Sequence, residues 1–205
     1  MTTGGEILSR LEAVVLAAGL GSRFGGGKLT TPWRAGVLLD GALATAFASP
    51  VRAVTVVTGA DPDVERVARD FTVRNGVSVP LRFVHAADHA AGMSASLRAG
   101  IASLPPDSDA AFVFLGDMPR VPVAVLTPLA NAVAGGAFAA APTFEGRRGH
   151  PVLFARPLFA QLLAIEGDEG ARSVLSRLGE KFALILTSDP GVLLDIDRPE
   201  DLDLT

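Results

Sequence analysis

Short apolar runs alternate with segments of helical spacing along most of the chain. Most of the runs are almost continuously apolar, as expected of strands covered on both faces of a sheet. They are AVVLAA (13–18), AVTVVTG (53–59), LRFVHA (81–86), AAFVFLG (110–116), AFAAAP (137–142), FALILT (182–187) and GVLLDI (191–196). The helical segments are 36–49, 61–71, 94–104, 122–134, 156–164 and 169–178. The alternation predicts an α/β fold of the Rossmann-like, three-layer α/β/α type, with a mostly parallel central sheet.

Length, composition and charge narrow the class of protein. A chain of 205 residues predicts one domain over residues 1–205. The net charge of −4 gives no general reason to bind nucleic acid. The absence of cysteine excludes disulfides, cysteine nucleophiles and thiolate metal sites. With no signal-peptide pattern at the start of the sequence, we expect a cytoplasmic location.

One uncharged run, residues 121–144, is long enough to span a membrane. Pro122, Pro128, Gly135–Gly136 and Pro142 interrupt it. Because proline and glycine break a continuous helix, we predict a short helix, a turn and a strand here, and no membrane partner.

The first predicted strand leads into LAAGLGSRFGGGKL, residues 16–29. Open α/β sheets bind ligands beyond the carboxyl ends of their strands, so this loop is a candidate binding site. Its glycines let backbone N–H groups approach a ligand, and Arg23 and Lys28 suit phosphate oxygens. Phe24 breaks the dinucleotide-binding pattern, and Ser22 and Leu29 break the Walker A pattern. The alternative is a flexible turn with two solvated cations.

Carboxylates follow two other predicted strands. Asp117 ends FLGDMP (114–119), and Asp195 and Asp197 lie in LLDIDRPEDL (193–202). On a strand, Asp195 and Asp197 would face the same side, and Mg²⁺ favours carboxylates together with phosphate oxygens. Asp117 is alternatively a turn or cap residue, and RPEDL also predicts a helix start with Pro199 in its first turn.

Further blocks follow in the same chain. They are PW (32–33), AGMSASLRAG (91–100), LGDMP (115–119), RRGHPVLF (147–154), GDEGAR (167–172) and DIDRPEDL (195–202). Together with the glycine-rich loop, they resemble the molybdenum cofactor cytidylyl- and guanylyltransferases, which have the fold of the nucleotide-diphospho-sugar transferases. The resemblance covers nearly the whole chain.

The resemblance implies attack of a substrate phosphate on the α-phosphorus of a nucleoside triphosphate, with pyrophosphate leaving. Arg23 and the glycine amides would hold the β- and γ-phosphates, and Lys28 would neutralise charge on the α-phosphate. Asp117, with Asp195 or Asp197, would hold Mg²⁺ or Mn²⁺. The catalytic residues so implied are Arg23, Lys28 and Asp117.

The resemblance also assigns the two substrate sites. The nucleotide site would comprise Leu16, Ala17, Ala18, Gly19, Gly21, Ser22, Arg23, Lys28, Ser94 and Ser96. The acceptor site would comprise Arg147, Arg148, His150, Asp168 and Arg172. Alternatively, Ser94 caps a helix, His150 is a packed surface residue, and Asp168 and Arg172 form an ion pair at a helix start.

Within the family, alanine in the third position of LAAG accompanies CTP and glycine accompanies GTP, so Ala18 favours CTP. The implied acceptor is molybdenum-bound molybdopterin, with transient contact to a recipient molybdoenzyme or its chaperone. Guanylyl transfer, cytidylyl transfer to another phosphorylated small molecule, and a non-catalytic cofactor carrier remain alternatives. The sequence departs from the family at Phe24, usually methionine, and at Thr30 and Thr31, usually apolar.

Overall fold

The computed structural model describes residues 9–19, 21–167 and 170–204. Within these residues it contains ten strands and six α-helices. The strands are β1 (Leu11–Leu16), β2 (Pro32–Trp33), β3 (Gly36–Val37), β4 (Val54–Thr58), β5 (Leu81–His85), β6 (Ala110–Leu115), β7 (Ala139–Phe144), β8 (Arg147–Arg148), β9 (Val152–Ala155) and β10 (Phe182–Leu186). The helices are α1 (Leu38–Ala48), α2 (Val64–Arg74), α3 (Met93–Ala102), α4 (Leu126–Ala134), α5 (Phe159–Leu163) and α6 (Arg172–Leu175).

The main sheet has the strand order β10-β7-β9-β6-β1-β4-β5, and β8 pairs with β7. β1 is parallel to both β4 and β6, with Val15 beside Val56 and Phe114. β9 is the strand that runs against its neighbours β6 and β7. The prediction of a mostly parallel α/β sheet is therefore confirmed, and the carboxyl ends of β1, β4 and β6 lie at one edge.

Helices cover both faces of the sheet. Ala13 and Val15 of β1 pack with α1, α2 and α4, whereas Val14 faces the side covered by α3. A Cβ atom on Gly100 of α3 would lie 2.5 Å from a methyl carbon of Val14. Glycine at this position therefore lets α3 approach β1 closely, and so fixes where α3 begins at the carboxyl edge.

The uncharged run at 121–144 folds as predicted into a short helical stretch and a strand. A 3₁₀ turn over Val123–Val125 leads into α4, and β7 follows. Among the residues that the structure describes, no helix is long and apolar enough to cross a membrane.

The predicted strand at 191–196 is wrong. Pro190–Leu193 forms a 3₁₀ turn, which begins where the Asp189 carboxylate accepts the N–H of Gly191 at 2.8 Å. Val192 and Ile196 are fully buried but do not join the sheet. Their backbone groups bond to loop residues instead: the carbonyl of Val192 accepts the N–H of His150, and the N–H of Ile196 donates to the carbonyl of Asp117. The apolar pattern predicted correctly that this segment is buried. Its conformation is a turn and not a strand because Pro190 cannot donate a backbone hydrogen bond and the Asp189 carboxylate caps the turn.

A buried carboxylate lies near the opposite, amino-terminal edge of the sheet. Glu12 of β1 is 1% exposed and accepts from Arg52 at 2.6 Å, while Arg82 of β5 lies 3.8 Å away. Arg52 also pairs with Asp107, at 2.9 Å, just before β6. These ion pairs connect β1 to the segments that lead into its neighbours, on the side away from the glycine-rich loop.

Candidate active site

Four of the predicted residues form one ion-pair network at the carboxyl edge of the sheet. Lys28 Nζ lies 2.7 Å from Asp117 Oδ2 and 3.5 Å from Asp197 Oδ1. Arg23 reaches the other oxygen of Asp197 at 2.8 Å. The Lys28 side chain is 13% exposed and that of Arg23 is 73% exposed. Three segments that are far apart in sequence thus meet around the Lys28 ammonium group.

The glycine-rich loop positions Lys28 through its backbone conformation. Gly27 has φ 59° and precedes the 3₁₀ turn Lys28–Thr30. Gly21 has φ 56°, and a Cβ atom there would lie 3.1 Å from the Cβ of Lys28. A side chain at residue 21 would therefore be strained by its backbone angle and would also crowd Lys28.

The two carboxylates reach the network from different elements. Asp117 follows β6, the strand beside β1, and its carbonyl accepts the N–H of Ile196. Asp197 precedes the 3₁₀ helix Pro199–Leu204, where the Asp201 carboxylate accepts the N–H of Asp197 at 2.9 Å and that of Arg198 at 2.8 Å. The helix start expected from RPEDL is present, because a 3₁₀ helix begins at Pro199, and Asp197 lies beside Lys28 and Arg23.

Asp195 is a neighbouring negative charge. Partial burial raises the pKa of its carboxyl group, and the charges of Asp117 and Asp197 raise it further. Lys28 acts in the opposite direction and lowers the pKa of Asp195. Because residues 191–196 do not form a strand, Asp195 and Asp197 do not share a face in the way that strand spacing predicted.

The donors at this edge fit a divalent cation that also binds phosphate. Within the described ranges, no group of three or more histidine, cysteine, aspartate or glutamate side chains is arranged to hold a metal ion. Asp117 and Asp197 offer two carboxylates, and Mg²⁺ takes one or two carboxylates together with phosphate oxygens and water. The donor set is therefore incomplete for a resident ion and adequate for an ion that arrives with a nucleotide.

A cavity of about 690 Å³ opens beside Lys28 and Asp117. Eight predicted residues line it: Leu16, Ala17, Ala18, Gly19, Gly21, Lys28, Ser96 and Asp117. Ala18 is 1% exposed and packs in a small cluster with Val14 and Val57, so its methyl group supports the floor of the cavity from below.

Sequence reasoning missed four polar residues on the wall of this cavity, namely Thr30, Asp61, Asp63 and His89. Asp61 accepts a hydrogen bond from the hydroxyl of Thr30 at 2.9 Å and from the N–H of Asp63. His89 Nδ1 lies 3.0 Å from the carbonyl of Ala86. The positions of Asp61, Asp63 and His89 just beyond β4 and β5 were the available signal, because the carboxyl ends of these strands share the edge with β1.

A second cavity, of about 340 Å³, lies on the β9 side of the same edge. Arg148, His150 and Arg172 line it, together with apolar side chains that include Phe154 and Leu175. The two cavities share Leu16, Met93 and Leu115 in their walls. Seven of the predicted nucleotide residues therefore line the larger cavity and three of the predicted acceptor residues line the smaller one, and the two cavities have a common wall.

The polar groups of the second cavity favour an anionic ligand. Burial lowers the pKa of His150 to about 4, and the charge of Arg148 lowers it further, so the imidazole is neutral at pH 7. Its Nδ1 atom is buried and has no hydrogen-bond partner within the described residues. Burial and the charge of Arg172 also lower the pKa of Arg148, which indicates that the two guanidinium groups lie near each other.

Several of the predicted residues that the structure describes do not line either cavity, among them Arg23, Asp195 and Asp197. Ser94 is 1% exposed and its hydroxyl lies 3.5 Å from the carbonyl of Glu166, while Gly92 is the residue that caps α3. Arg147 is exposed on β8. Ser22 begins the 3₁₀ turn Ser22–Phe24. Asp168 lies outside the described residues.

The comparisons with known proteins identify the family of the chain. The family model described as the MobA-like NTP transferase domain matches residues 13–182. The molybdenum cofactor cytidylyltransferase of Escherichia coli K12 is 27% identical over 196 residues, which cover 95% of this chain and 94% of that protein. The purine catabolism protein PucB of Bacillus subtilis is 30% identical over 203 residues, which cover 95% of each.

Solved structures show the same fold. The crystal structure of Rv0371c from Mycobacterium tuberculosis H37Rv has a TM-score of 0.76 at 24% identity, covering 95% of this chain and 97% of that one. A manganese complex of the same protein has a TM-score of 0.72 at 22% identity, covering 96% and 97%.

Proposed function

Because the chain belongs to the MobA-like NTP transferase family, we propose that it transfers a nucleotidyl group from a nucleoside triphosphate to the phosphate of a second substrate, releasing pyrophosphate. The observation that carries this proposal is the pair of cavities on either side of Leu16 and Leu115, with Lys28 and Asp117 lining the larger one. A transfer reaction needs two substrates whose reacting atoms approach each other, and adjacent sites with a common wall provide such an approach.

On the nucleotide side, the chain supplies positive charge and backbone donors. Arg23 and the N–H groups of the glycine-rich loop bind the β- and γ-phosphates and stabilise the departing pyrophosphate. Lys28, held between Asp117 and Asp197, presents its ammonium group to the α-phosphate, where negative charge increases during attack. Ser96 and His89 line the part of the same cavity that we assign to the nucleoside.

Asp117 and Asp197, with Asp195 nearby, would hold the divalent cation, Mg²⁺ or Mn²⁺. Such an ion, when bound, neutralises triphosphate charge and polarises the phosphoryl oxygens. The manganese complex of the structurally similar Rv0371c protein supports a divalent ion in this fold.

On the acceptor side, Arg148 and Arg172 would bind a phosphate group. Among the described residues, which leave out Asp168 and Glu169, neither arginine forms an ion pair with a carboxylate, and a guanidinium group can bind two phosphate oxygens at once. Neutral His150 would orient the same phosphate by a hydrogen bond without adding charge. No general base is required, because a phosphate monoester is already mostly ionised at neutral pH. The apolar remainder of the cavity can pack against the flat face of a ring system.

Among the substrates, we propose CTP and the phosphate of molybdopterin. The E. coli relative named a molybdenum cofactor cytidylyltransferase, together with Ala18 in LAAG, supports this choice. Such a reaction would take place in the cytoplasm, and its product would pass to a molybdoenzyme or a chaperone. GTP as donor, another phosphorylated small molecule as acceptor, and a non-catalytic cofactor carrier are the alternatives.

Pyrophosphate release tests these choices. Purified protein is incubated with Mg²⁺ and each pairing of CTP or GTP with molybdenum-bound molybdopterin or a methylerythritol phosphate. We expect release with CTP and the pterin, and none when the acceptor is omitted. Release with GTP and not with CTP would make GTP the donor. Release with the methylerythritol phosphate and not with the pterin would change the assigned acceptor. No release with any pairing would contradict transferase activity.

A further inference from the structure

β10 is an edge strand with an apolar outer surface. Among the described residues it pairs with β7 and with no other strand. Its Leu184 and Leu186 are 52% and 80% exposed. Exposed leucines on an open sheet edge favour pairing with another strand, and natural edges are usually protected by charge, by proline or by a covering segment.

The outermost strand on the other side of the sheet, β5, has that protection. β5 exposes Arg82 and His85, and the Arg82 side chain is 46% exposed. β10 has no charged residue and no proline between Phe182 and Leu186. Charged or polar side chains therefore protect β5 from pairing with another strand, whereas β10 has no such protection.

The backbone of β10 shows which groups face the open edge. The carbonyl of Lys181 accepts from Phe138, and the N–H of Thr187 donates to Thr143 on the β7 side. Because successive residues in a strand direct their backbone groups to opposite sides, the odd-numbered residues bond to β7. The N–H and C=O groups of Leu184 and Leu186 consequently point away from the sheet.

We propose that β10 pairs in antiparallel fashion with β10 of a second copy of this chain, about a two-fold axis at Ile185. This register sets Leu184 opposite Leu186 of the other copy, in a pair that exchanges two hydrogen bonds through the outward backbone groups. The same register places Lys181, in the turn before β10, on the same end of the strand pair as Asp189 of the other copy, which lies in the segment after β10, so that residues of opposite charge flank the pair at both ends. The apolar, backbone and charge patterns are all satisfied by this one register.

Ile185 would lie directly opposite Ile185 of the other copy, across the two-fold axis, in a residue pair that makes no backbone hydrogen bonds. The Cα atoms of such a pair lie about 4.5 Å apart, a separation that a disulfide can bridge. Pairing two copies in this way would extend the sheet through both molecules. The four exposed leucines would lie together on one face, the face on which Phe182 of β10 packs with the second hydrophobic cluster.

Sedimentation equilibrium of the full chain, at several protein concentrations, measures the association. We expect a monomer–dimer equilibrium for the wild type and a dissociation constant raised about tenfold or more in Leu186→Lys, which sets a charge against Leu184 of the other copy. Val73→Lys is the matched control, because Val73 is 82% exposed on α2 and lies outside the proposed contact. A wild type that is monomeric throughout, or a dimer unaffected by Leu186→Lys, would overturn the proposal.

Cysteine substitution tests the register in a chain that has no cysteine of its own. Under mild oxidation Ile185→Cys should form a disulfide-linked dimer, because residue 185 would meet itself across the axis. Ala183→Cys should remain a free thiol, because residue 183 would lie opposite residue 187. Cross-linking of Ala183→Cys but not of Ile185→Cys would contradict the register. Circular dichroism and thermal unfolding would verify that each variant is folded.

Discussion

Lys28 is the residue on which the proposed chemistry depends most. It is largely buried, it touches Asp117 and Asp197, and it lines the larger cavity. Removing an amine that stabilises charge in the transition state lowers kcat more than it weakens substrate binding. We predict that Lys28→Ala lowers kcat about a hundredfold or more in a pyrophosphate-release assay.

The control for Lys28 is Lys181, which lies in the turn before β10, outside the lining of both cavities, with its ammonium group over the ring of Phe138. Lys181→Ala should leave kcat unchanged. A Lys28→Ala enzyme with a raised KM for CTP and an unchanged kcat would restrict Lys28 to binding.

Thr30 and Asp61 offer a second test at the scale of single residues. The Thr30 hydroxyl lies 2.9 Å from Asp61 Oδ2 and belongs to the same 3₁₀ turn as Lys28. This hydrogen bond ties the glycine-rich loop to the segment after β4 across the cavity. Without this hydrogen bond the loop should be held less firmly, and nucleotide binding should be weaker by about 1 kcal/mol. This loss corresponds to a roughly fivefold rise in the KM for the nucleotide.

Thr30→Val keeps the shape of the side chain and removes the hydroxyl, whereas Thr30→Ser keeps the hydroxyl. We predict that steady-state kinetics show the rise in KM for Thr30→Val only. Equal KM values for the two variants would show that the hydrogen bond does not position the loop.

At the scale of elements, the carboxyl ends of β1 and β6 bring Lys28 and Asp117 together, and the turn after residue 196 adds Asp197. Three carboxylates stand here against two cations, Arg23 and Lys28. A triphosphate would add further negative charge, so a divalent cation should bind with it. We predict that Mg²⁺ binds weakly alone and tightly in the presence of CTP, as measured by isothermal titration calorimetry.

Asp117→Asn should abolish the Mg²⁺-dependent gain in CTP affinity while leaving the thermal unfolding midpoint within a few degrees of wild type. Asp70→Asn is the matched substitution, because Asp70 is exposed on α2 and lines neither cavity. Undiminished activity of Asp117→Asn, with or without a chelator, would contradict the assignment of Asp117 to the metal.

The ion pairs at the other edge of the sheet should matter for stability and not for catalysis. Arg52→Leu would leave the buried Glu12 with Arg82 at 3.8 Å as its remaining basic neighbour. An incompletely compensated buried carboxylate destabilises a protein by about 3 kcal/mol. We predict a loss of this size in urea unfolding for Arg52→Leu and less than about 1 kcal/mol for Arg66→Leu, whose partners Asp63 and Asp70 are exposed. A large fall in kcat for Arg52→Leu would contradict a purely structural role.

The sequence predicted the sheet and most of its strands, and it placed Lys28 and Asp117 beyond the ends of two of them, because buried parallel strands leave strong local signals. Asp197 lies beside Lys28 although the strand expected before it does not form. The sequence did not predict the turn at 190–193, where burial without a hydrogen-bonded ladder looks like a strand. The Thr30–Asp61 hydrogen bond was also invisible, because nothing in either local pattern reports a partner 31 residues away. Likewise, the burial that keeps His150 neutral depends on packing between distant segments.

At the scale of the whole molecule, the carboxyl edge of one sheet carries both cavities. The strands β1, β4 and β5 carry the loops around the larger cavity, and β6 and β9 contribute to the smaller one. Asp117 follows β6, which pairs with β1, and Leu16 at the end of β1 lies in the wall between the two cavities. The central claim is therefore that the α-phosphorus of a nucleotide bound on one side is transferred to a phosphate bound on the other.

The fate of each phosphorus atom tests this claim most directly. CTP radiolabelled at the α-phosphorus, or separately at the γ-phosphorus, is incubated with the protein, Mg²⁺ and molybdenum-bound molybdopterin, and the products are separated by chromatography. We predict that the α-label appears in a product that also contains the pterin, while the γ-label appears in pyrophosphate. Transfer of the γ-label to the acceptor, or an α-label found only in CTP and its hydrolysis products, would contradict the account.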